Sequence, residues 1–195
     1  MKKVIFLTVI TILTNINRIY SQEIYNIDTK SSEILVSGTS TFHNWDMKSK
    51  AIIGKMKASM DKAGIKLISD VLVSCNAKSL LSDGKGMNDN AYEALKADTY
   101  PVIKFVSSSV IGLKSDNTYF SGTITGNLTI AGKTNKVTIP FTGIITALGN
   151  LCVKGSFGFN MTQFDMESPS FMMGMMTTGD YIILNFSLNF NKASI

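Results

Sequence analysis

Phe120 to Phe141 reads FSGTITGNLTIAGKTNKVTIPF, and its alternation decides the fold. Phe120, Ile124, Leu128 and Ile130 share one parity, with Gly122 and Gly126 at the two remaining positions between them. Ser121, Thr123, Thr125, Asn127 and Thr129 take the other parity. A period of two puts one face of a strand in a core and the other in water. Ala131 to Lys136 carries Gly132 and Asn135, which suit a turn, and Val137, Ile139 and Phe141 then resume the pattern. The segment predicts a long hairpin with an unbroken apolar inner face. Its two inward glycines remove side chains where a wall can bend or a cavity can form. One wall of a closed barrel is the expectation.

Working outward, the same period recurs on both sides. Ile24 to Ile27 reads as a short first strand. Ser32, Ile34, Val36, Gly38, Ser40 and Phe42 share a parity in the next, and His43-Asn44-Trp45-Asp46 follows it. Ile52, Gly54, Met56 and Ala58 mark another strand, turned by Asp61 to Gly64. Ile65, Leu67, Val71, Val73, Cys75 and Ala77 place Cys75 inward. Asn88, Asp89 and Asn90 offer N-caps for a helix over Ala91 to Ala97, which Tyr100-Pro101 stops. A strand restarts at Ile103 and Phe105 and runs to about Leu113. Beyond the hairpin, Leu151, Val153, Phe157 and Phe159 give one strand, and Ile182, Leu184, Phe186, Leu188 and Phe190 the last. About eight long strands with small turns and at most two short helices predict an all-β, antiparallel up-and-down barrel.

The chain opens with a secretion leader. Met1-Lys2-Lys3 is basic, Val4 to Thr14 is apolar but too short to span a bilayer, and Ser21 offers a small residue before cleavage at Gln22. Residues 1–21 are expected to be removed, which predicts a periplasmic or secreted protein. No other apolar run reaches transmembrane length. Lys2, Lys3 and Arg18 leave with the leader, so 19 basic residues become 16 against 14 acids and the net charge falls from +5 to +2. Arg18 is the only arginine, so the mature chain lacks the bidentate fork of phosphate and base-edge recognition. Nucleic acid is not an expected partner.

Few residues offer chemistry. His43 is the only histidine, so no His-based metal site can form around it. It reads either as a polar group at a ligand headgroup or as a structural residue bonded to backbone at a strand end. Trp45, the only tryptophan, either packs under a barrel end or lines a cavity. Cys75 and Cys152 have opposite parities, which argues against a disulfide between them. Met161, Met166, Met172, Met173, Met175 and Met176 crowd one segment. Thioethers suit copper(I), but with no histidine or cysteine near in sequence, adaptable apolar lining is the favoured reading. No nucleophile elbow, phosphate loop or paired acid and base is visible, so an enzyme is not expected and no cofactor or metal is required.

Four stretches resemble the YceI-like family: GTSTFHNWDM (38–47), SLLSDGKGMNDNAYEALKADTYPVIKF (79–105), GNLTIAGKTNKV (126–137) and FNMTQFDMESPSFMMGMMTTGDYIILNFSLNF (159–190). In detail they look most similar to Bacteroidetes-type members. The resemblance implies a lipocalin-like antiparallel barrel over residues 22–195 that holds a long polyisoprenoid lipid, of quinone or polyprenyl type, without catalysis. On that reading Ile34, Val36, Phe42, Val73, Ile103 and Phe105 line the interior. So do Phe120, Ile124, Leu128, Ile130 and Phe141, and, from the last strands, Phe157, Phe159, Ile182, Leu184 and Phe186. His43, Trp45 and Met173 would stand at the mouth. The rival reading is a solid barrel, filled by side chains and serving as an envelope or stress-related interaction module. A homodimer through a strand edge or apolar mouth is left open.

Overall fold

The computed structural model describes residues 21–171 and 176–193. Residues 1–20 of the expected leader, and Met172, Met173 and Met175 of the methionine-rich segment, lie outside the described residues. The elements are β1 (Glu23–Ile27), β2 (Glu33–Ser40), β3 (Asn44–Ser49), β4 (Ile52–Asp61), β5 (Gly64–Asn76), α1 (Lys85–Ala94), β6 (Val102–Ser115), β7 (Tyr119–Ile130), β8 (Lys133–Ile145), β9 (Leu151–Asn160), β10 (Ser170–Phe171) and β11 (Met176–Lys192).

Eight strands close an antiparallel ring in the order β1, β4, β5, β6, β7, β8, β9, β11. The seal is short: Tyr25, Asn26 and Ile27 pair with Lys192, Asn191 and Phe190. The 17 residues of β11 allow this. Its last turn of ladder takes β1, while Thr178 to Ser187 pair with β2 on the same edge. β3 then pairs with β2. The β2–β3 hairpin therefore flares from one end of the ring, and α1 stands across from it. The outer edge of β3 meets the segment before α1 through Lys48 N to Leu81 O at 2.8 Å and Leu81 N to Lys48 O at 2.9 Å.

The inner face of the hairpin that opened the sequence reading is buried as the alternation requires. Phe120, Ile124, Leu128, Ile130, Val137, Ile139 and Phe141 all belong to the core. Its turn is tighter than the sequence suggests. Ile130 pairs directly with Lys133, leaving only Ala131 and Gly132, at φ 49° and 82°. Two left-handed residues match the strand twist, so β8 starts at Lys133 rather than after Lys136. On the outer face, Thr129 and Thr134 share a hydroxyl hydrogen bond of 2.8 Å, and Thr125 and Thr138 one of 3.2 Å.

Other expectations need correction. α1 starts at Lys85, so Asn88, Asp89 and Asn90 lie within it rather than capping it, and it ends at Ala94. Asn88 instead holds the preceding loop, accepting from Ser82 N at 2.7 Å and Ser82 Oγ at 2.8 Å. Lys96, at φ 49°, breaks the helical path well before Pro101. Leu67 is 44% exposed, because the β4–β5 register shifts between Ser59 and Met60, so that Ile65 stays inward but Ile68 turns inward in place of Leu67. Asn44 to Ser49, where no strand is expected from the sequence, form a full strand.

Candidate ligand chamber

The interior is not filled from end to end. A chamber of about 250 Å³ lies at the mouth, between the flared β2–β3 hairpin, the start of β11 and α1. A second, of about 120 Å³, lies in the body of the ring. The space exists partly because large rings lie flat on the wall over glycines of the neighbouring strand. Gly38 is the register partner of Trp45, Gly143 of Phe120, and Gly155 of Phe186. A Cβ on these glycines would stand within 2.4 Å of the facing ring carbons. Phe105 lies over Gly126 in the same way, with 2.6 Å between its Cζ and such a Cβ. Each absent side chain gives a ring a place against the wall, so the ring does not occupy the lumen.

The mouth chamber takes Ile34 and Val36 from β2, Trp45 and Met47 from β3, and Ile182 and Leu184 from β11. Cys75, Ile103, Ile130 and Phe159 form its floor and far wall. Across from them, α1 contributes Met87, Asn90, Ala91 and Ala94, followed by Leu95. No residue of α1 is fully buried, so it covers the chamber as a lid rather than as part of a core. It is tied down at its C-terminal end. Tyr92 Oη donates to Lys78 O and Leu80 O, both at 3.0 Å, and Lys96 Nζ donates to Asp165 O at 3.0 Å. Asp165 also pairs with Lys133 at 3.0 Å.

Polar groups of the mouth chamber are Ser40, His43, Asn90, Thr177 and Thr178. The exposed ring of His43 borders the chamber and is also bonded to backbone. With a carbonyl partner, Nδ1 carries the proton and donates to Asn44 O at 3.0 Å. Ser40 N and Oγ donate to His43 O at 2.9 and 2.8 Å. Trp45 lines the cavity, the second of its two readings, with its Nε1 donating to Thr39 O at 3.1 Å.

The body chamber is lined by Val73, Phe105, Phe120, Ile124, Leu128, Phe141, Phe157 and Phe186, and again by Ile34, Ile103 and Leu184. Phe42 joins neither chamber and is 70% exposed. β2 ends at Ser40, and the turn that follows breaks the parity that would have pointed it inward. The alternation does place Met56, Ile139, Val153, Leu188 and Phe190 inward, and they line the body chamber although they were not singled out as contacts. The residues of α1 had no such signal, since their position depends on how the helix crosses the mouth.

No Lys, Arg, Asp or Glu is among the described residues that line either chamber. Among the described residues no three His, Cys, Asp or Glu side chains cluster as a metal site. Met161 and Met166 are buried apolar lining at the mouth. Both cysteines are free thiols: Cys152 is half-buried, and Cys75 sits between the two chambers. Burial pushes the Cys75 thiol up to about 11, against a smaller opposing effect of its hydrogen bond with Ser79. It is therefore protonated and unreactive at neutral pH. No described helix is long and apolar enough to cross a membrane.

The YceI-like domain profile matches residues 25–190. The chain belongs to the YceI-like family. Solved structures of similar fold include BcnA from Burkholderia cenocepacia, with a TM-score of 0.65 at 20% identity over 84% of this chain and 98% of that one. A polyisoprenoid binding domain from Saccharophagus degradans, implicated in plant cell wall breakdown, gives 0.65 at 10% identity over 87% and 98%. The YceI protein of Campylobacter jejuni gives 0.53 at 18% identity over 72% and 81%. At these identities the likeness is one of fold. No curated protein sequence matches the chain. The YceI-like assignment and the alternation pattern agree on a lipocalin-like barrel of eight ring strands with the β2–β3 hairpin added.

Proposed function

We propose that this protein is a non-catalytic binder or carrier of an isoprenoid lipid with a neutral headgroup, such as a quinone or a polyprenol. The observation that carries this reading is the pair of adjoining apolar chambers whose described lining includes no charged side chain. A phosphate headgroup would need compensating cations once withdrawn from water, and the described lining supplies none. A carbonyl or hydroxyl headgroup would find partners among Ser40, His43, Asn90, Thr177 and Thr178. The likeness in fold to a polyisoprenoid binding domain supports the same ligand class.

The energetics do not require a strong polar anchor. At roughly 0.8 kcal/mol per buried methylene, about ten tail carbons contribute on the order of 8 kcal/mol. That is enough to meet much of the roughly 4–15 kcal/mol cost of association. On this account the apolar walls give affinity and the rim gives orientation. The leader at residues 1–21 would export the chain, so the lipid would be met outside the cytoplasm.

The test is organic extraction of protein purified from its own host, followed by mass spectrometry and N-terminal sequencing. The expected result is a neutral isoprenoid and a mature chain beginning at Gln22. Repeatedly empty extracts would support an interaction module without a lipid ligand instead, and a phosphorylated prenol would refute the headgroup assignment.

A further inference from the structure

The two chambers share four side chains, Ile34, Cys75, Ile103 and Leu184. Cys75 and Ile103 are direct register partners across β5 and β6. Leu184 stands on β11 opposite Val36, and Ile34 lies two residues before Val36 on β2. In an eight-stranded ring β6 and β11 are four places apart, so these pairs approach from opposite walls. All four border both chambers, so they mark where the space of about 250 Å³ adjoins that of about 120 Å³ and stand as a collar between them. Beyond it the body chamber is lined by core residues such as Met56, Ile68, Leu188 and Phe190, all nearly fully buried. The polar rim lies entirely on the mouth side.

We infer that this collar is a ruler for tail length, a deduction that rests on the lipid-binding reading above. A headgroup held at the rim leaves the first part of its tail in the mouth chamber. A longer tail gains further contact only by threading between Cys75 and Ile103 on one wall and Ile34 and Leu184 on the other. The small body chamber then limits how much more tail can be buried. Affinity should rise with each isoprene unit while the tail passes the collar and stop rising once the body chamber is full. Cys75 is the smallest of the four side chains, so a large residue there would take the most space from the passage.

The experiment measures dissociation constants for geraniol, farnesol, geranylgeraniol and a longer polyprenol with the full chain. Wild-type protein should bind them with increasing affinity that then levels off. In Cys75→Phe the ratio of geranylgeraniol to geraniol affinity should fall about tenfold or more, because lost burial is read only by the longer tail. Ile103→Ala serves where Cys75→Phe does not fold, and there the ratio should rise. A wild-type series without length dependence, or equal changes for short and long alcohols in the variants, overturns the ruler alone. Failure of wild-type protein to bind any of the alcohols overturns the lipid-binding reading, and the ruler with it.

Discussion

Replacing Gly143 by alanine tests why the lumen is open. Gly143 and Phe120 are register partners on β8 and β7. A Cβ at position 143 would lie 2.2 Å from Phe120 Cζ, and 2.6 and 2.7 Å from its Cε atoms. All three contacts are to one ring and none to backbone. Ordinary contact begins near 3.4 Å, so the ring must withdraw by 3.4 − 2.2 = 1.2 Å. Phe120 is buried and packed edge-on to Phe141 with centroids 6.2 Å apart, and the free space beside it is the body chamber. Forced repacking of this kind costs about 1–3 kcal/mol, less about 0.4–1 kcal/mol recovered from the stiffer unfolded chain. A net loss of about 1–2 kcal/mol is expected in urea denaturation, with weaker lipid binding. Phe120→Leu removes the three clashing atoms. In that background Gly143→Ala should be neutral or slightly stabilising, giving a coupling of about 1–2 kcal/mol. If the alanine costs the same in both backgrounds, within about 0.3 kcal/mol, the glycine is not what holds the ring on the wall.

Gly38→Ala should act alike at the mouth, where the added Cβ would meet Trp45 Cζ2 at 2.3 Å. Displaced tryptophan emission and about tenfold weaker lipid binding are expected, and unchanged emission with unchanged affinity would count against the wall-seated ring. A pH prediction follows from Cys75, whose thiol is raised from 9.0 to about 11. Above pH 9 the unfolded chain releases this proton first, so the stabilising contribution is intact below pH 9 and is lost as pH rises through about 11. At about 1.4 kcal/mol per pH unit, the stability gap between wild type and Cys75→Ala should narrow by up to about 3 kcal/mol over that window. Tyr25, raised to about 12 chiefly by burial and then by the charge of Glu23, titrates in both proteins and cancels, so a constant gap would refute the assignment. Tyr92→Phe removes the hydroxyl that ties α1 to Lys78 O and Leu80 O. Faster amide exchange confined to residues 85–94 is expected, with a loss of about 1 kcal/mol, and uniform acceleration across the barrel would show that α1 is not an independent lid.

Period-two alternation determined most of the wall. Each inward residue of β7 and β8 is decided by its own neighbours in sequence, because successive side chains of a strand must point to opposite faces. The same rule kept Cys75 inward and Cys152 outward, and the family resemblance of segments 79–105 and 126–137 pointed to the same barrel. Local pattern failed where the backbone leaves that rule. The turn after Ser40 sends Phe42 into solvent, the register shift near Ser59 exchanges Leu67 for Ile68, and the helix expected over Ala91 to Ala97 starts six residues earlier, at Lys85, and ends at Ala94. Only the tertiary structure decided that Trp45, Phe105, Phe120 and Phe186 lie flat over glycines of other strands, that α1 roofs the mouth, and that Ile34, Cys75, Ile103 and Leu184 meet in a collar. These are contacts between residues far apart in the chain, and ring closure alone brings them together. A sequence states which face a side chain takes, whereas the space left between opposing faces depends on how the whole sheet curves.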